Sequence, residues 1–151
     1  GARINPLELA QRIQGPSYIS LESALSYHGW IPEGVYTVTS ASLERSRTFE
    51  TPLGVFSYTR VPQYRFYSGV SRFVTEDGGS FLMADPLKAL SDYVYAHNCL
   101  WDSASPVRES LRVDEHALAE LDASSFEPLL HQYRSGHVQR FLLGFRKDLG
   151  L

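Results

Sequence analysis

The spacing of hydrophobic positions changes twice along the chain, and the changes divide it into helix, sheet and helix. Near the start, Leu7, Ala10 and Ile13 recur at helical spacing behind Asn5-Pro6-Leu7-Glu8. An Asx side chain can accept from an orphan N–H, proline is pre-set for the first helical position, and Glu8 can reach back as a capping-box partner. Gly15-Pro16 stops this helix. Ser20 caps a second helix, with Glu22 in its first turn at the positive end of the dipole and with Leu21, Ala24, Leu25 and His28 on one stripe. Gly29 ends it and Pro32 keeps it ended.

From Val35 to Asp85 the period falls to two. Val35-Tyr36-Thr37-Val38-Thr39 is β-branched and aromatic, and Thr48-Phe49-Glu50 and Val55-Phe56-Ser57-Tyr58 alternate across Pro52-Leu53-Gly54. Val70 to Thr75 and Ser80 to Met83 flank Glu76-Asp77-Gly78-Gly79, where adjacent glycines permit the positive φ of a tight hairpin. These segments predict an antiparallel meander.

Asp85-Pro86 starts a third helix, running to about His97, with Leu87, Leu90 and Val94 as its buried stripe. Lys88 and Asp92 form an i, i+4 pair that this stripe places on the exposed side. After a polar stretch, Ala104 to Arg112, the rest is helical: Asp114 caps one segment, Ser124 and Glu127 form a capping box for another, and Gly136 sets off a last helix, His137 to Asp148. The pattern predicts one α/β (α+β) domain over residues 1–151. Its centre is a mostly antiparallel β-sheet flanked by N-terminal helices, and its C-terminal third is helical.

Composition keeps this picture and narrows the function. Hydrophobic residues make up 43% and charged residues 21%, outside the low-hydrophobicity, high-charge range of disorder. Cys99 is the only cysteine, so no intramolecular disulfide or CxxC metal knuckle can form, and a reducing compartment fits. The longest apolar runs, such as Phe141 to Phe145, fall far short of the roughly 18–20 residues that cross a bilayer, and no signal-peptide pattern opens the chain. A cytoplasmic protein with no membrane partner is expected. Gly1 in place of an initiator Met is read as a processed or engineered start. A net charge of −3 argues against free-standing binding to a phosphate backbone.

Candidate chemistry is sparse. His28, His97, His116, His131 and His137 make no HxH, HxxxH or HExxH spacing. No GxSxG, GxGxxG or GxxxxGKS is present, and Cys99 has no base placed by spacing. No catalytic residue, cofactor or metal site is therefore assigned. Asp85 and Lys88, with Glu76 and Asp77 on the preceding turn, allow an alternative: a metal-dependent nuclease, in which acids hold Mg²⁺ beside a cation near the attacked phosphate. Against it, Asp85 already has work as an N-cap and Lys88 as a partner of Asp92. Arg45, Arg47, Arg60, Arg65 and Arg72 scatter among Phe49, Tyr58, Tyr64, Phe66 and Tyr67, a mixture enriched at recognition surfaces and equally compatible with the solvent face of a sheet.

Several strings in order carry a resemblance: PSYISLESALSYHGWIPE from Pro16 to Glu33, VYTVTS from Val35 to Ser40, Arg45-Ser46, TPLGVFSY from Thr51 to Tyr58, and ADPLKALSD from Ala84 to Asp92. Across about residues 16 to 95 the chain resembles the AbiEi-type antitoxins, transcriptional regulators of type IV toxin–antitoxin systems that act in phage resistance. It departs from the family pattern at Leu87, where glutamate usually follows the proline, and through its C-terminal third. The resemblance implies a two-part protein. A winged helix, expected upstream of residue 1, would bind promoter DNA, while the present region would supply dimer or partner contacts and neutralise a cognate nucleotidyltransferase-like toxin. No cofactor is implied. Arg45, Arg47, Tyr64, Arg65, Phe66, Tyr67 and Lys88 are the residues expected to meet the partner.

Overall fold

The computed structural model describes residues 4–151; Gly1, expected to be a processed start, lies outside them. Helix α1 (Pro6–Ile13) begins as its sequence dictates, with Asn5 Oδ1 accepting from Leu7 N at 2.8 Å. Glu8 pairs with Arg12 at 3.2 Å instead of closing a capping box. Then follow β1 (Ser17–Ile19), α2 (Leu21–Tyr27), β2 (Val38–Ser42), β3 (Arg47–Thr51), β4 (Gly54–Arg60), β5 (Val70–Val74), β6 (Ser80–Ala84) and α3 (Pro86–Ala96). The helical C-terminal third holds α4 (Ser105–Glu109), α5 (Glu115–Ala119), α6 (Ala123–Phe126) and α7 (Gly136–Asp148).

The strands form one six-stranded mixed sheet in the order β3-β4-β2-β1-β6-β5, with helices on both sides, so the fold is α+β as the hydrophobic pattern requires. The expected meander is not what joins it. The β3–β4 and β5–β6 hairpins form, but β2 lies parallel to β4, and β1 is inserted between β2 and β6, parallel to the latter. Strand β1 escapes the pattern because Ser17, Tyr18 and Ile19 are all buried, and a strand covered on both faces shows no alternation. Strand β2 lies three residues later than the β-branched run, ending in the buried small residues Ser40, Ala41 and Ser42.

Successive strand residues point to opposite faces, and β1 therefore ties two layers together. Tyr18 sends its hydroxyl to Asp92 of α3. Ile19 lies opposite Ser40, which lies beside Tyr58, so all three share the other face, and there the Tyr58 hydroxyl donates to Ala10 O of α1 at 2.5 Å. Helix α3 is packed between α2 and α7, and Leu87, Leu90 and Val94 are buried as expected. On α7, Phe141 and Phe145 stack, with Phe126 edge-on to Phe145 and Trp101 edge-on to Phe141.

Two local readings are corrected. Helix α4 forms inside the stretch that appears polar, held by buried Val107. The capping box ahead of α6 is Asp122 with Ser125, two residues earlier than the Ser124–Glu127 pair, because Pro128 interrupts the helix the latter would start.

Candidate functional site

Lys88 and Asp92 are not on the exposed side of α3. Both have no solvent exposure, and Phe66, another residue expected to meet a partner, is buried as well. The surface reading fails because α3 is covered all round: Leu87 through Asp92 are buried without a break, so its apolar stripe does not define its only inner face.

The charges are instead knitted into a polar network. Lys88 Nζ donates to Gln63 Oε1 at 2.5 Å and lies 5.5 and 5.7 Å from the ring centres of Tyr18 and Tyr133. Asp92 accepts from the hydroxyls of Tyr18 at 2.6 Å, Ser20 at 2.7 Å and Tyr133 at 2.5 Å. Tyr18 closes the circuit by accepting from Gln63 Nε2 at 3.0 Å, and Gln132 Nε2 donates to Gln63 Oε1 at 2.8 Å. Ser20 thus makes no capping bond to α2; its hydroxyl is committed to Asp92. Burial pushes the Asp92 carboxyl up and the Lys88 ammonium down, each opposed by the charge of the other.

The same burial predicts an alkaline transition. The Tyr58 phenol is pushed up to about 12. Tyr18 and Tyr133 are raised by burial first and by the charge of Asp92 second. A phenol whose native pKa is raised contributes stability that is complete below the ordinary tyrosine value and lost as pH climbs through the native one. In a tyrosinate absorbance titration, these three of the nine tyrosines should ionise only together with unfolding, above about pH 10. Ionisation of all nine while the near-ultraviolet circular dichroism stays native would contradict it.

The acids of the nuclease reading do not meet. Asp85 caps α3 through Lys88 N at 2.8 Å, whereas Glu76 and Asp77 sit on the turn at the opposite end of the β5–β6 hairpin. Among the described residues no three His, Cys, Asp or Glu side chains are placed to hold a metal ion. The histidines remain apart: His28 Nε2 lies 2.9 Å from Ala84 O, His97 pairs with Glu22, and His137 lies against Ser135. Cys99 is half-buried, and burial raises its thiol.

What the fold does gather outside is arginine and aromatic surface. The C-terminal end of α1 and the outer strands β3 and β4 enclose an open groove of about 660 Å³, lined by Arg45, Arg47 and Arg60 with Phe49, Ile13 and Leu43. Arg47 lies over the Phe49 ring, 4.7 Å from its centre. Glu44 lines the groove too, but among the described residues no carboxylate approaches any of the three guanidinium groups within 4.0 Å. A smaller depression shares Leu43 and Arg60 and continues to Arg134, which stacks on Tyr64 at 5.3 Å. Tyr64, Arg65 and Tyr67 are exposed, while Phe66 turns inward onto the Tyr18 ring at 4.8 Å. Arg60 appears in the sequence as one of several scattered arginines, and Arg134 has no local signal, since only the bridge between Gln63 and Tyr133 carries the C-terminal segment beside Tyr64.

No helix among the described residues is long and apolar enough to cross a membrane. Comparison with protein-family models, with curated proteins and with solved structures finds no match to the chain.

Proposed function

We propose that the chain is a non-enzymatic antitoxin and transcriptional-regulator domain of the AbiEi type, acting in the cytoplasm. It neutralises a nucleotidyltransferase-like toxin through surface contact and contributes to autoregulation together with a separate winged-helix DNA-binding domain. The observation that carries this reading is the exposed run of Arg45, Arg47, Arg60 and Arg134 beside Phe49 and Tyr64. Arginine and aromatic side chains together give large contact area and directed hydrogen bonds, the combination that concentrates binding energy at protein interfaces. In an otherwise mildly acidic chain this surface is a local excess of positive charge.

Co-expression with the nucleotidyltransferase encoded by a neighbouring gene tests the reading. Growth should be restored and the two proteins should copurify, and the double variant Arg60→Glu/Arg134→Glu should lose both effects while keeping its native circular dichroism. Absence of both rescue and complex formation would sink it. So would Mg²⁺-dependent cleavage of DNA or RNA by the purified chain that Asp85→Ala abolishes.

A further inference from the structure

The sheet ends at β3, and the outer edge of that strand runs beside the arginine groove. The bonding of its hairpin follows from the end of β4, where Val61 N donates to Ser42 O at 3.2 Å on the β2 side and Arg60 N turns the other way to Ser46 Oγ at 2.9 Å. Main-chain groups alternate in direction along a strand, so Gly54, Phe56 and Tyr58 face β3 and the closing pair Thr51–Gly54 carries ladder bonds. Bonded pairs alternate along an antiparallel ladder, so the next are Phe49–Phe56 and Arg47–Tyr58. The N–H and C=O groups of Thr48 and Glu50 therefore point away from β4. Both residues are exposed, and outside the ladder neither main chain has a hydrogen-bond partner among the described residues. The side chains sort the other way: Arg47 and Phe49 lie on the groove face, Thr48 and Glu50 on the opposite one.

We propose that this edge and the groove form one site for an extended, acidic segment of a partner protein. The segment adds as a further strand outside β3, bonds to the main chain of Thr48 and Glu50, and sets carboxylates against Arg45, Arg47 and Arg60. Phe49, Ile13 and Leu43 supply an apolar slot between those charges. Only alternate residues of an added strand face the groove. The carboxylates thus belong on one face, and the residues between them, which pass Glu50, are neutral or basic. A nucleic acid would meet the arginines but offers no row of amide groups to the edge, and the net charge of −3 works against a polyanion of that length. The inference deepens the partner-binding reading and rests on it. A chain that rescues cells from a toxin but ignores the peptide below would sink the site and leave that reading standing.

The probe is a short fluorescein-labelled peptide in which glutamate alternates with threonine, titrated with the full chain and followed by anisotropy. Comparison probes are the same peptide with lysine for glutamate, the same peptide N-methylated at alternate amides, and a labelled single-stranded oligonucleotide. The glutamate peptide should bind, and Arg47→Glu and Arg60→Glu should each weaken it at least about tenfold, as loss of a charge-assisted contact requires. Thr48→Pro, which removes an outward N–H and no ladder bond, should weaken it comparably, and so should N-methylation of the peptide, which leaves the protein untouched. No binding of the glutamate peptide overturns the proposal. Equal or tighter binding of the oligonucleotide or of the lysine peptide overturns it as well. Loss with the arginine variants but full affinity for the N-methylated peptide overturns strand addition.

Discussion

Asp92→Ala should lower stability by about 3–5 kcal/mol, the range for removing one partner from a buried charged network. The substitution leaves the hydroxyls of Tyr18, Ser20 and Tyr133 without their carboxylate acceptor and leaves the buried Lys88 ammonium with Asp85 as its one remaining counter-charge. Urea unfolding at neutral pH measures it. Asp92→Asn keeps the shape and a carbonyl acceptor and should cost less, about 1–3 kcal/mol. Lys88→Met alone strands the carboxylate, but Lys88→Met combined with Asp92→Asn removes both charges. The double variant should therefore lose less than the sum of its parts, with a coupling of about 0.5–3 kcal/mol. The pH dependence carries the same signature. Burial raises the native Asp92 carboxyl, so the native state keeps a proton that the unfolded chain has released. Its contribution is complete below the ordinary carboxylate value of about 4 and is lost as pH rises through the native value, and Asp92→Asn should flatten that part of the profile. Single-site losses below about 1 kcal/mol, or losses that simply add, would mean that the network does not hold the layers together.

This network also marks where the sequence stops being legible. Caps and turns are local, and Asn5, Asp85 and Asp114 each cap the helix that their position announces. The β3–β4 and β5–β6 hairpins are legible for the same reason. Whether Lys88 faces water depends on what covers α3. That covering comes from α2 and α7 and from Gln63, Gln132 and Tyr133, distant segments that leave no periodic trace beside Lys88. The exposed surface divides in the same way. An Arg–aromatic mixture is visible in the chain, but the fold alone separates Tyr64 from Phe66, joins Arg60 to Arg45 and Arg47, and adds Arg134.

Gly144→Ala gives the sharpest contrast between local propensity and tertiary packing. In the interior of α7, replacing glycine by alanine ought to stabilise by about 1 kcal/mol on helix propensity alone. The fold reverses the sign. A Cβ at this position would run into Asp102 O and stand 2.6 Å from its carbonyl carbon, contacts with backbone that no side-chain rotation can relieve. Nor can the Asp102 segment easily lift away. On one side Trp101 packs against Phe141 of the same helix, and on the other Ala104 N donates to Asp148 Oδ2 at 2.9 Å. The substitution should therefore destabilise by about 3 kcal/mol, a fall in Tm of roughly 10 °C. Gly136→Ala is the matched control, since a Cβ there meets nothing within 4 Å at the first turn of the same helix, and it should leave Tm unchanged or slightly raised. Equal melting temperatures for the two variants would show that the 99–104 segment does not press on α7 as described.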